Sequence, residues 1–454
     1  MYDVIVLGGG PGGYAAAIRA AQLKGKVVLV EEAAMGGTCV LRGCIPSKIW
    51  LRAASLLEQA KKAGDFGLNL EIGSFDCKAV VARKEGVSNE IAMGMSALLA
   101  NNAIEVVMGR GVVESAHRVV VNGKVLEGKN IIIATGSRLA PCTVPGAETL
   151  VMTSDELLGA TELPKSVLVT DPGPIGVECA MLLGMLGCEV TYALPGARIL
   201  PEEDQDSAQR LAAALRERGV KIMARCKLER VENGECVLCG KKKEERVTVE
   251  KVLWSLREPV STGFGLEDLG VSLNEDGGIQ VDAHCRTNVS GIYAIGDCTG
   301  GWMLSHVASA MAICAAENAM GTPSTYKSEL VSRAIWGIVQ MGSVGLSEEQ
   351  AERQGREVEV GSFPYAINGY AMLRGEVDGA VKVVADAKTG EILGVHIVGS
   401  QASELVGEAV LAMQLECTVH EFAKGFRVHP AFCETVVDAF RDAESWALYL
   451  PRRG

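Results

Sequence analysis

The sequence lacks a long apolar run, an excess of positive charge and a dense set of cysteines. No apolar run reaches the about 18 residues that a membrane-spanning helix needs, so we expect no membrane partner. The net charge is −12, from 44 Lys and Arg against 56 Asp and Glu, which argues against a nucleic-acid partner and against docking to anionic lipid. The 14 cysteines are about 3% of 454 residues, well below the density of a secreted disulfide scaffold.

The amino-terminal segment also lacks the features of a targeting signal. The chain passes from Met1 directly into a strand-like segment at residues 3–7, with no basic region, apolar stretch or cleavage site before it. We therefore expect no secretory signal and a cytoplasmic location. Hydrophobic residues make up 48% of the sequence, enough for a sizeable core, and the length suggests about three domains.

Strand-like and helix-like patterns alternate from the first residue, which predicts an α/β architecture with parallel sheets. One β–α–β unit covers residues 3–30, and a similar unit covers residues 167–192. Two such units in one chain predict two nucleotide-type domains. From about residue 322 the pattern changes to strands at 381–384 and 392–398 followed by amphipathic helices, which predicts a third, α+β domain.

The segment GGGPGG at residues 8–13 satisfies the dinucleotide-binding pattern G-x-G-x-x-G between a predicted strand and a predicted helix. Its three glycines allow a tight turn, a close approach of the backbone to a pyrophosphate, and close packing of helix on strand. Glu31 ends the next strand, where an acid is expected to meet a ribose hydroxyl. The alternative is a glycine-rich turn that binds no ligand.

Two cysteines, Cys39 and Cys44, follow in the segment GGTCVLRGCIPSK at residues 36–48. On a regular helix their separation of five residues gives about 7.5 Å of rise, which a disulfide does not span. A bond between them therefore needs a distorted turn, which Gly43 and Pro46 make plausible. The alternatives are two unrelated buried thiols or half of a metal site, for which the sequence offers no second half with zinc spacing.

The segment at residues 36–48 resembles the redox-active disulfide segment of the flavin-dependent pyridine nucleotide–disulfide oxidoreductases. The run CIPSK is most similar to the dihydrolipoyl dehydrogenase branch of that family, and the resemblance extends over nearly the whole chain. ATGS at residues 134–137 and the stretch at 287–297 match its two further flavin segments. The resemblance implies a redox disulfide between Cys39 and Cys44 and an FAD cofactor, with Asp297 holding the ribityl chain.

The resemblance also implies a domain order. We expect an FAD-binding domain at residues 1–143 and 271–321, a Rossmann-like NAD-type domain at 144–270, and a dimerisation domain at 322–454. The residues that it assigns to flavin binding are Gly8, Gly10, Pro11, Gly13, Glu31, Gly37, Thr38, Lys48, Thr135, Gly136, Ser137, Gly296, Asp297, Leu304 and Ala308.

A histidine and a glutamate near the carboxyl end, His429 and Glu434, form the pattern His-Pro-x-x-x-Glu. Histidine titrates close to neutral pH, so His429 is suited to accept and return the proton of a dithiol, and Glu434 is suited to fix its tautomer. A lone histidine beside proline is more often structural, but this pattern matches the family's catalytic base. In that family the base acts on the other subunit, so the resemblance implies a homodimer with shared active sites.

The second β–α–β unit departs from the family. Its turn reads TDPGPIG at residues 170–176, with Asp171 where the first glycine belongs; the candidate NAD contacts are Gly173, Ile175 and Gly176. A carboxylate repels a pyrophosphate and Pro172 removes an N–H. Leu194 replaces the expected acid, and Leu256 replaces a glycine of Gly-Arg-x-Pro. Three losses of about 1–3 kcal/mol each weaken NAD binding by several powers of ten; the alternative is that NAD binds in a shifted pose.

By contrast, the flavin and disulfide residues match the family, including Glu178, which pairs with Lys48 in its members. We predict an FAD-dependent dithiol–disulfide oxidoreductase that oxidises a dihydrolipoyl group on a carrier protein, or another dithiol, with NAD as acceptor. One alternative is a NAD-independent enzyme that passes electrons to a protein or another acceptor. Another is a non-catalytic FAD-binding subunit. The catalytic residues implied by the resemblance are Cys39, Cys44, Lys48, Glu178, His429 and Glu434.

Overall fold

A computed structural model describes residues 1–240 and 244–451. The strands in that range are β1 (Tyr2–Leu7), β2 (Val27–Glu31), β3 (Glu105–Met108), β4 (Gly111–Ser115), β5 (Arg118–Val121), β6 (Lys124–Ile133), β7 (Ser137–Leu139), β8 (Val151–Thr153), β9 (Ser166–Val169), β10 (Glu189–Leu194), β11 (Lys221–Ala224), β12 (Cys226–Glu232), β13 (Glu235–Gly240), β14 (Glu244–Thr248), β15 (Lys251–Trp254), β16 (Arg257–Pro259), β17 (Ile292–Ala294), β18 (Arg333–Ile335), β19 (Gln340–Gly345), β20 (Val358–Pro364), β21 (Ala380–Asp386) and β22 (Ile392–Gly399).

The α-helices of the same described range are α1 (Pro11–Gln22), α2 (Gly37–Leu41), α3 (Cys44–Lys61), α4 (Cys77–Asn101), α5 (Ser154–Leu158), α6 (Pro174–Met185), α7 (Gln205–Glu217), α8 (Ser305–Ala319), α9 (Glu348–Arg353), α10 (Gly369–Arg374), α11 (Ala402–Gln414), α12 (Val419–Ala423) and α13 (Cys433–Ala443). Among these helices, none is both long and apolar enough to cross a bilayer.

The first sheet contains the parallel strands β3-β2-β1-β6, with β17 paired to the end of β6. All five residues of β2 are buried, as expected for a parallel strand covered on both faces. The first half of β6 instead pairs with β5 in an antiparallel hairpin that continues to β4. Helices α1 and α8 pack together on one face of the sheet through alanine-rich surfaces, around residues such as Ala16, Ala20, Ala312 and Ala315.

The second sheet repeats this arrangement with the parallel strands β11-β10-β9-β15-β8, and the antiparallel meander β12-β13-β14 follows β11. Its helix α6 is apolar apart from Glu178, and eight of its twelve residues are buried, so it lies largely in the interior. The short strands β7 and β16 pair antiparallel and join the two units. Two nucleotide-type sheets confirm this part of the predicted fold.

The carboxyl-terminal unit is a five-stranded antiparallel sheet, β18-β19-β22-β21-β20, with helices α11 and α13 packed on it. Every residue of β21 and β22 is buried, because these central strands are covered on both faces. This arrangement confirms the predicted α+β domain. The predicted domain boundaries at residues 143, 270 and 321 fall outside the strands and α-helices, and they stay predictions.

Candidate active site

The turn between β1 and α1 leaves room only for glycine at two positions. Gly8 has φ +108, and a Cβ built on it would lie 2.2 Å from the Ala134 carbonyl oxygen. A Cβ on Gly13 would lie 1.8 Å from the Gly8 carbonyl oxygen. The helix therefore begins directly against the strand, and Pro11 occupies its first turn, where an N–H is not needed. This geometry directs the amino end of α1 toward any bound anion.

The carboxylate of Glu31 lies beside this turn, at the end of β2. Its Oε2 accepts a hydrogen bond of 2.6 Å from the Gly9 N–H, and its Oε1 accepts one of 2.7 Å from the Ala33 N–H. Both oxygens are thus held by the backbone, which fixes the carboxylate at the predicted ribose position. The Gly9 contact is one that sequence reasoning missed, since nothing in the spacing shows which amide the acid accepts from.

Cys39 and Cys44 lie on two different helices. Cys39 is in α2, which ends at Leu41, and Cys44 is the first residue of α3. The backbone breaks helical geometry at Arg42 and Gly43, so the rise of one continuous helix does not apply. A hydrogen bond links the two side chains. The predicted distortion therefore occurs, and it brings the two thiols close together.

The two thiols are chemically unequal. The hydrogen bond from Cys39, reinforced by Ser305 and by the ammonium of Lys48, lowers the pKa of Cys44 to about 6 despite its burial. The same hydrogen bond, together with burial, raises the pKa of Cys39. At neutral pH the reduced pair is thus a Cys44 thiolate beside a protonated Cys39. The Oγ of Ser305, the first residue of α8, lies 3.4 Å from the Cys44 sulfur.

Lys48 lies one helical turn after Cys44 and forms an ion pair with Glu178 of α6. Its Nζ is 2.8 Å from Oε2 and 3.0 Å from Oε1 of that carboxylate. The Trp336 N–H donates to the same Oε1 over 3.0 Å, and the Lys48 ammonium lies 5.6 Å from the Trp336 ring centroid. The pair therefore joins the first and second units beside the thiols and places a positive charge near Cys44.

A polar chain connects the two other predicted flavin segments. Ser137 donates a 2.6 Å hydrogen bond to the Asp297 carboxylate and accepts one of 3.0 Å from the Nε of Arg257. Arg257 also approaches the Thr38 hydroxyl at 3.3 Å. Burial raises the pKa of Asp297. Arg257 therefore contacts predicted flavin residues, although sequence reasoning treated its segment only as part of the nicotinamide machinery.

The remaining predicted flavin residues converge on the same region. Gly10 lies against Gly37 at the start of α2, and Ala308 of α8 packs near Gly12 and Gly296. The other predicted contacts lie on the segments that border these residues: Thr135 and Gly136 after β6, and Leu304 immediately before α8. A glycine cradle that a Cβ would fill, together with the half-buried Asp297 carboxylate, fits a flavin dinucleotide.

His429 and Glu434 are joined at the edge of the carboxyl-terminal unit. The Nδ1 of His429 is 2.8 Å from Glu434 Oε1, and Glu434 Oε2 accepts a 2.9 Å hydrogen bond from the Ala431 N–H. The His429 side chain is 79% exposed. Among the described residues, no hydrogen bond or ion pair joins this pair to Cys39 or Cys44 of the same chain.

The second turn, between β9 and α6, differs from the first. Asp171 is buried, accepts hydrogen bonds from Ser255 and from the Gly173 N–H, and occupies the place of the first glycine. Leu194 is buried and Leu256 is exposed. Gly173 precedes α6, and Ile175 and Gly176 lie in its first turn. With a carboxylate bonded to the turn, these residues do not fit the pyrophosphate of a dinucleotide.

Comparison with known proteins gives consistent matches over the whole chain. Residues 2–312 match the family described as pyridine nucleotide-disulphide oxidoreductase, and residues 331–440 match the dimerisation domain of that family. The dihydrolipoyl dehydrogenase of Bacillus subtilis is 38% identical over 99% of this chain and 99% of its own. The dihydrolipoyl dehydrogenase of Corynebacterium glutamicum is 39% identical over 96% of this chain and 97% of its own.

Solved structures show the same likeness. LpdA from Mycobacterium tuberculosis superposes with a TM-score of 0.88 at 27% identity, covering 96% of this chain and 98% of that one. The HOCl-induced flavoprotein disulfide reductase RclA from Escherichia coli has a TM-score of 0.83 at 26% identity, covering 96% of this chain and 99% of that one.

Proposed function

The chain belongs to the pyridine nucleotide-disulphide oxidoreductase family, and we propose that it is an FAD-dependent enzyme that oxidises dihydrolipoyl groups through Cys39 and Cys44. Membership confirms the resemblance read from the sequence. The observation that carries the proposal is the placement of Cys39 and Cys44 at the break between α2 and α3, beside the Ser305 hydroxyl and the Lys48–Glu178 ion pair. The dithiol substrate follows from the dihydrolipoyl dehydrogenases that this chain resembles over nearly its full length.

The inequality of the thiols assigns a direction to disulfide exchange. In the oxidised enzyme a substrate thiolate attacks the Cys39 sulfur, the Cys39–Cys44 bond breaks, and Cys44 leaves as the thiolate. A leaving thiol of low pKa departs faster, so the bond to Cys44 is the one that breaks. The second thiolate of the substrate then attacks the substrate sulfur that is bonded to Cys39. This step releases Cys39 and leaves the substrate as a cyclic disulfide. The two electrons of the substrate now reside on the enzyme dithiol, and FAD, when bound, supplies a two-electron acceptor.

Two protons leave the substrate in this exchange. His429 accepts the proton of the first attacking thiol, and Glu434 stabilises the imidazolium through the 2.8 Å contact to Nδ1. Cys39 regains the second proton, in keeping with its raised pKa. Lys48 holds the Cys44 thiolate by charge, and Ser305 holds it by a hydrogen bond. The chain's own residues thus account for both electrons and both protons.

We propose a homodimer as the functional form, in which His429 of one chain acts on the cysteine pair of the other. The histidine is 79% exposed, and the adjacent segment exposes the apolar side chains of Phe426 (99%) and Val428 (70%). Exposed apolar groups next to a catalytic pair are typical of an interface. The family's dimerisation domain covers this segment. A lipoyl carrier protein is the proposed partner of the dimer, and a cytoplasmic location stays a prediction.

Replacing Cys44 tests the proposed function. In Cys44→Ser, the purified protein should keep its FAD, and the rate of flavin reduction by dihydrolipoamide should fall at least about 1,000-fold. Cys239→Ser is the matched control, since Cys239 is exposed on β13, which belongs to a different sheet from the site residues; it should keep the wild-type rate. If dihydrolipoamide does not reduce the flavin of the wild-type holoenzyme, the result would favour the non-catalytic alternative. Unchanged turnover in Cys44→Ser would contradict the role of the thiol pair.

A further inference from the structure

The two nucleotide-type turns can be compared position by position, because the strand registers align them. Val6 pairs with Leu29 and Ile132 in the first sheet, and Val169 pairs with Tyr192 and Leu253 in the second. Counting two residues on from each member of these pairs matches three positions of one turn with three of the other. In the first turn they are Gly8, Glu31 and Ala134; in the second they are Asp171, Leu194 and Ser255.

The second turn is rebuilt around its carboxylate. In the first turn a Cβ on Gly8 would meet the Ala134 carbonyl at 2.2 Å, so no side chain fits there. In the second turn Ser255, which is 1% exposed, donates a 2.6 Å hydrogen bond to Asp171 Oδ2. Asp171 is not among the residues with positive φ, whereas Gly8 has φ +108. The backbone has therefore adopted a different path that gives the aspartate both space and a partner.

The other carboxylate oxygen lies where a phosphate would approach. Oδ1 of Asp171 accepts a 2.8 Å hydrogen bond from the Gly173 N–H at the start of α6. A Cβ on Gly173 would lie 3.0 Å from this oxygen, whereas the nearest atom to a Cβ on Gly10 is the Gly37 Cα at 3.7 Å. The glycine at this position normally lets the backbone approach a pyrophosphate. Here the chain's own anion occupies that approach.

A neighbouring donor has also been lost. Pro172 has no N–H, and the Gly173 N–H is used by Asp171, whereas Pro174 corresponds to Pro11 of the first turn and changes nothing. In the first turn the Gly9 N–H holds the Glu31 carboxylate at 2.6 Å. Pro172 stands at the position of Gly9 and Leu194 at that of Glu31, so both partners of that contact are absent together. Losing both sides of an interaction indicates a site that has been replaced.

We propose that Asp171 closes the second turn to pyridine dinucleotides, and that it is the specificity-determining residue that separates this enzyme from NAD-dependent members of its family. The inference rests on the proposed function, since it concerns the electron acceptor of a dithiol-driven flavoenzyme. NAD is accordingly not the electron acceptor of this enzyme. Asp171 supplies the anion, Ser255 holds it in place, and Leu194 removes the ribose contact.

The experiment uses the FAD-loaded dimer and NAD⁺ or NADH as the probe. The double variant Asp171→Gly/Ser255→Ala restores in the second turn the residue pair found at Gly8 and Ala134. Calorimetric titration with NAD⁺ should give a dissociation constant about 10- to 100-fold lower for the double variant than for the wild type, the range expected for one recovered hydrogen-bonded contact and the removal of a repelling charge. Equal affinities in the two proteins would overturn the proposal.

Two controls separate the possible causes. Ser255→Ala alone leaves the carboxylate on Gly173 and should not gain affinity. Asp171→Asn keeps the size and the Ser255 contact but removes the charge, so it should gain part of the affinity even if the glycine variant does not fold. A gain in Ser255→Ala equal to that of the double variant would contradict the assigned role of Asp171. FAD content and melting temperature report on folding in each case.

Two half-reactions keep this inference apart from the proposed function. Anaerobic stopped-flow mixing of the wild type with dihydrolipoamide should reduce the flavin, whereas NADH at millimolar concentration should not. Failure with dihydrolipoamide would refute the proposed function. Rapid reduction of the wild-type flavin by NADH, with dihydrolipoamide also active, would refute only the closure of the second turn.

Discussion

Removing the Ser305 hydroxyl should raise the pKa of Cys44. The hydroxyl lies 3.4 Å from the sulfur and is one of three groups that lower this pKa, the others being Cys39 and Lys48. A hydrogen bond to a charged group contributes about 1.5–3 kcal/mol to stability, and the length of this contact argues for the lower end. Since about 1.4 kcal/mol corresponds to one pKa unit, Ser305→Ala should move the Cys44 pKa from about 6 to about 7.

The assay is the pH dependence of alkylation in the reduced protein. Only the thiolate reacts with iodoacetamide, so the rate at Cys44, followed by peptide mass mapping, has its midpoint at the thiol pKa. In the wild type the midpoint should lie near pH 6 and in Ser305→Ala near pH 7, so at pH 6 the variant has roughly one fifth of the wild-type thiolate. Above pH 8.5 the variant should react slightly faster, because a thiolate of higher pKa is the better nucleophile.

Ser309→Ala is the matched control for this prediction. Ser309 lies one turn further along α8, and its hydroxyl donates to the Ser305 carbonyl oxygen rather than to a thiol. Its variant should keep the wild-type midpoint. An unchanged midpoint in Ser305→Ala, or a downward shift, would refute the view that this hydroxyl stabilises the thiolate. Preferential alkylation of Cys39 at pH 7 would refute the assignment of the thiolate to Cys44.

Two further predictions concern the contact between the second unit and the carboxyl-terminal sheet. Lys382→Met should lower the free energy of unfolding by about 3–5 kcal/mol in a urea titration. The reason is that the fully buried Asp204 carboxylate, which lies 2.9 Å from the Lys382 ammonium, loses its cation. Lys388→Met, at an exposed ion pair, should change the free energy of unfolding by less than about 0.5 kcal/mol. Burial lowers the pKa of His396 below its usual 6.5, so below pH 6.5 the unfolded chain binds a proton that the folded chain does not. The free energy of unfolding should therefore decrease as the pH falls below 6.5, by at most about 1.4 kcal/mol per pH unit. The decrease should be smaller in His396→Asn, and equal slopes in the two proteins between pH 6.5 and 5 would contradict this.

The features that sequence reasoning predicts best are those encoded locally. The turn GGGPGG and the strand before it are contiguous, and the steric limit at Gly13 comes from the Gly8 carbonyl five residues earlier, so pattern and geometry agree. The order of strands and helices likewise follows from local periodicity. The family resemblance then supplied the domain order that periodicity alone does not give.

The contacts that tune the site were not predictable in the same way. Ser305 is 261 positions from Cys44, and the family resemblance assigns flavin contacts to its neighbours Leu304 and Ala308 but no role to Ser305. A hydroxyl at the start of a helix that follows a flavin segment is a signal too weak to assign a thiol partner. Similarly, Asp171 was recognised as a departure from the glycine pattern, but Ser255, its hydrogen-bond partner, lies 84 positions away.

A sharing of active sites between two copies of the chain predicts complementation between two inactive variants. In a hybrid dimer of Cys44→Ser and His429→Gln chains, one site has both lesions. The other combines intact cysteines from the His429→Gln chain with the intact histidine of the Cys44→Ser chain. With random pairing half of the dimers are hybrids, so a co-expressed mixture should recover about one quarter of wild-type dihydrolipoamide oxidation, although each variant alone is nearly inactive. If His429 served the cysteines of its own chain, each of the two sites in the hybrid would carry one lesion, and no hybrid site would be intact. Activity no higher than the sum of the two separate variants would therefore refute the shared site.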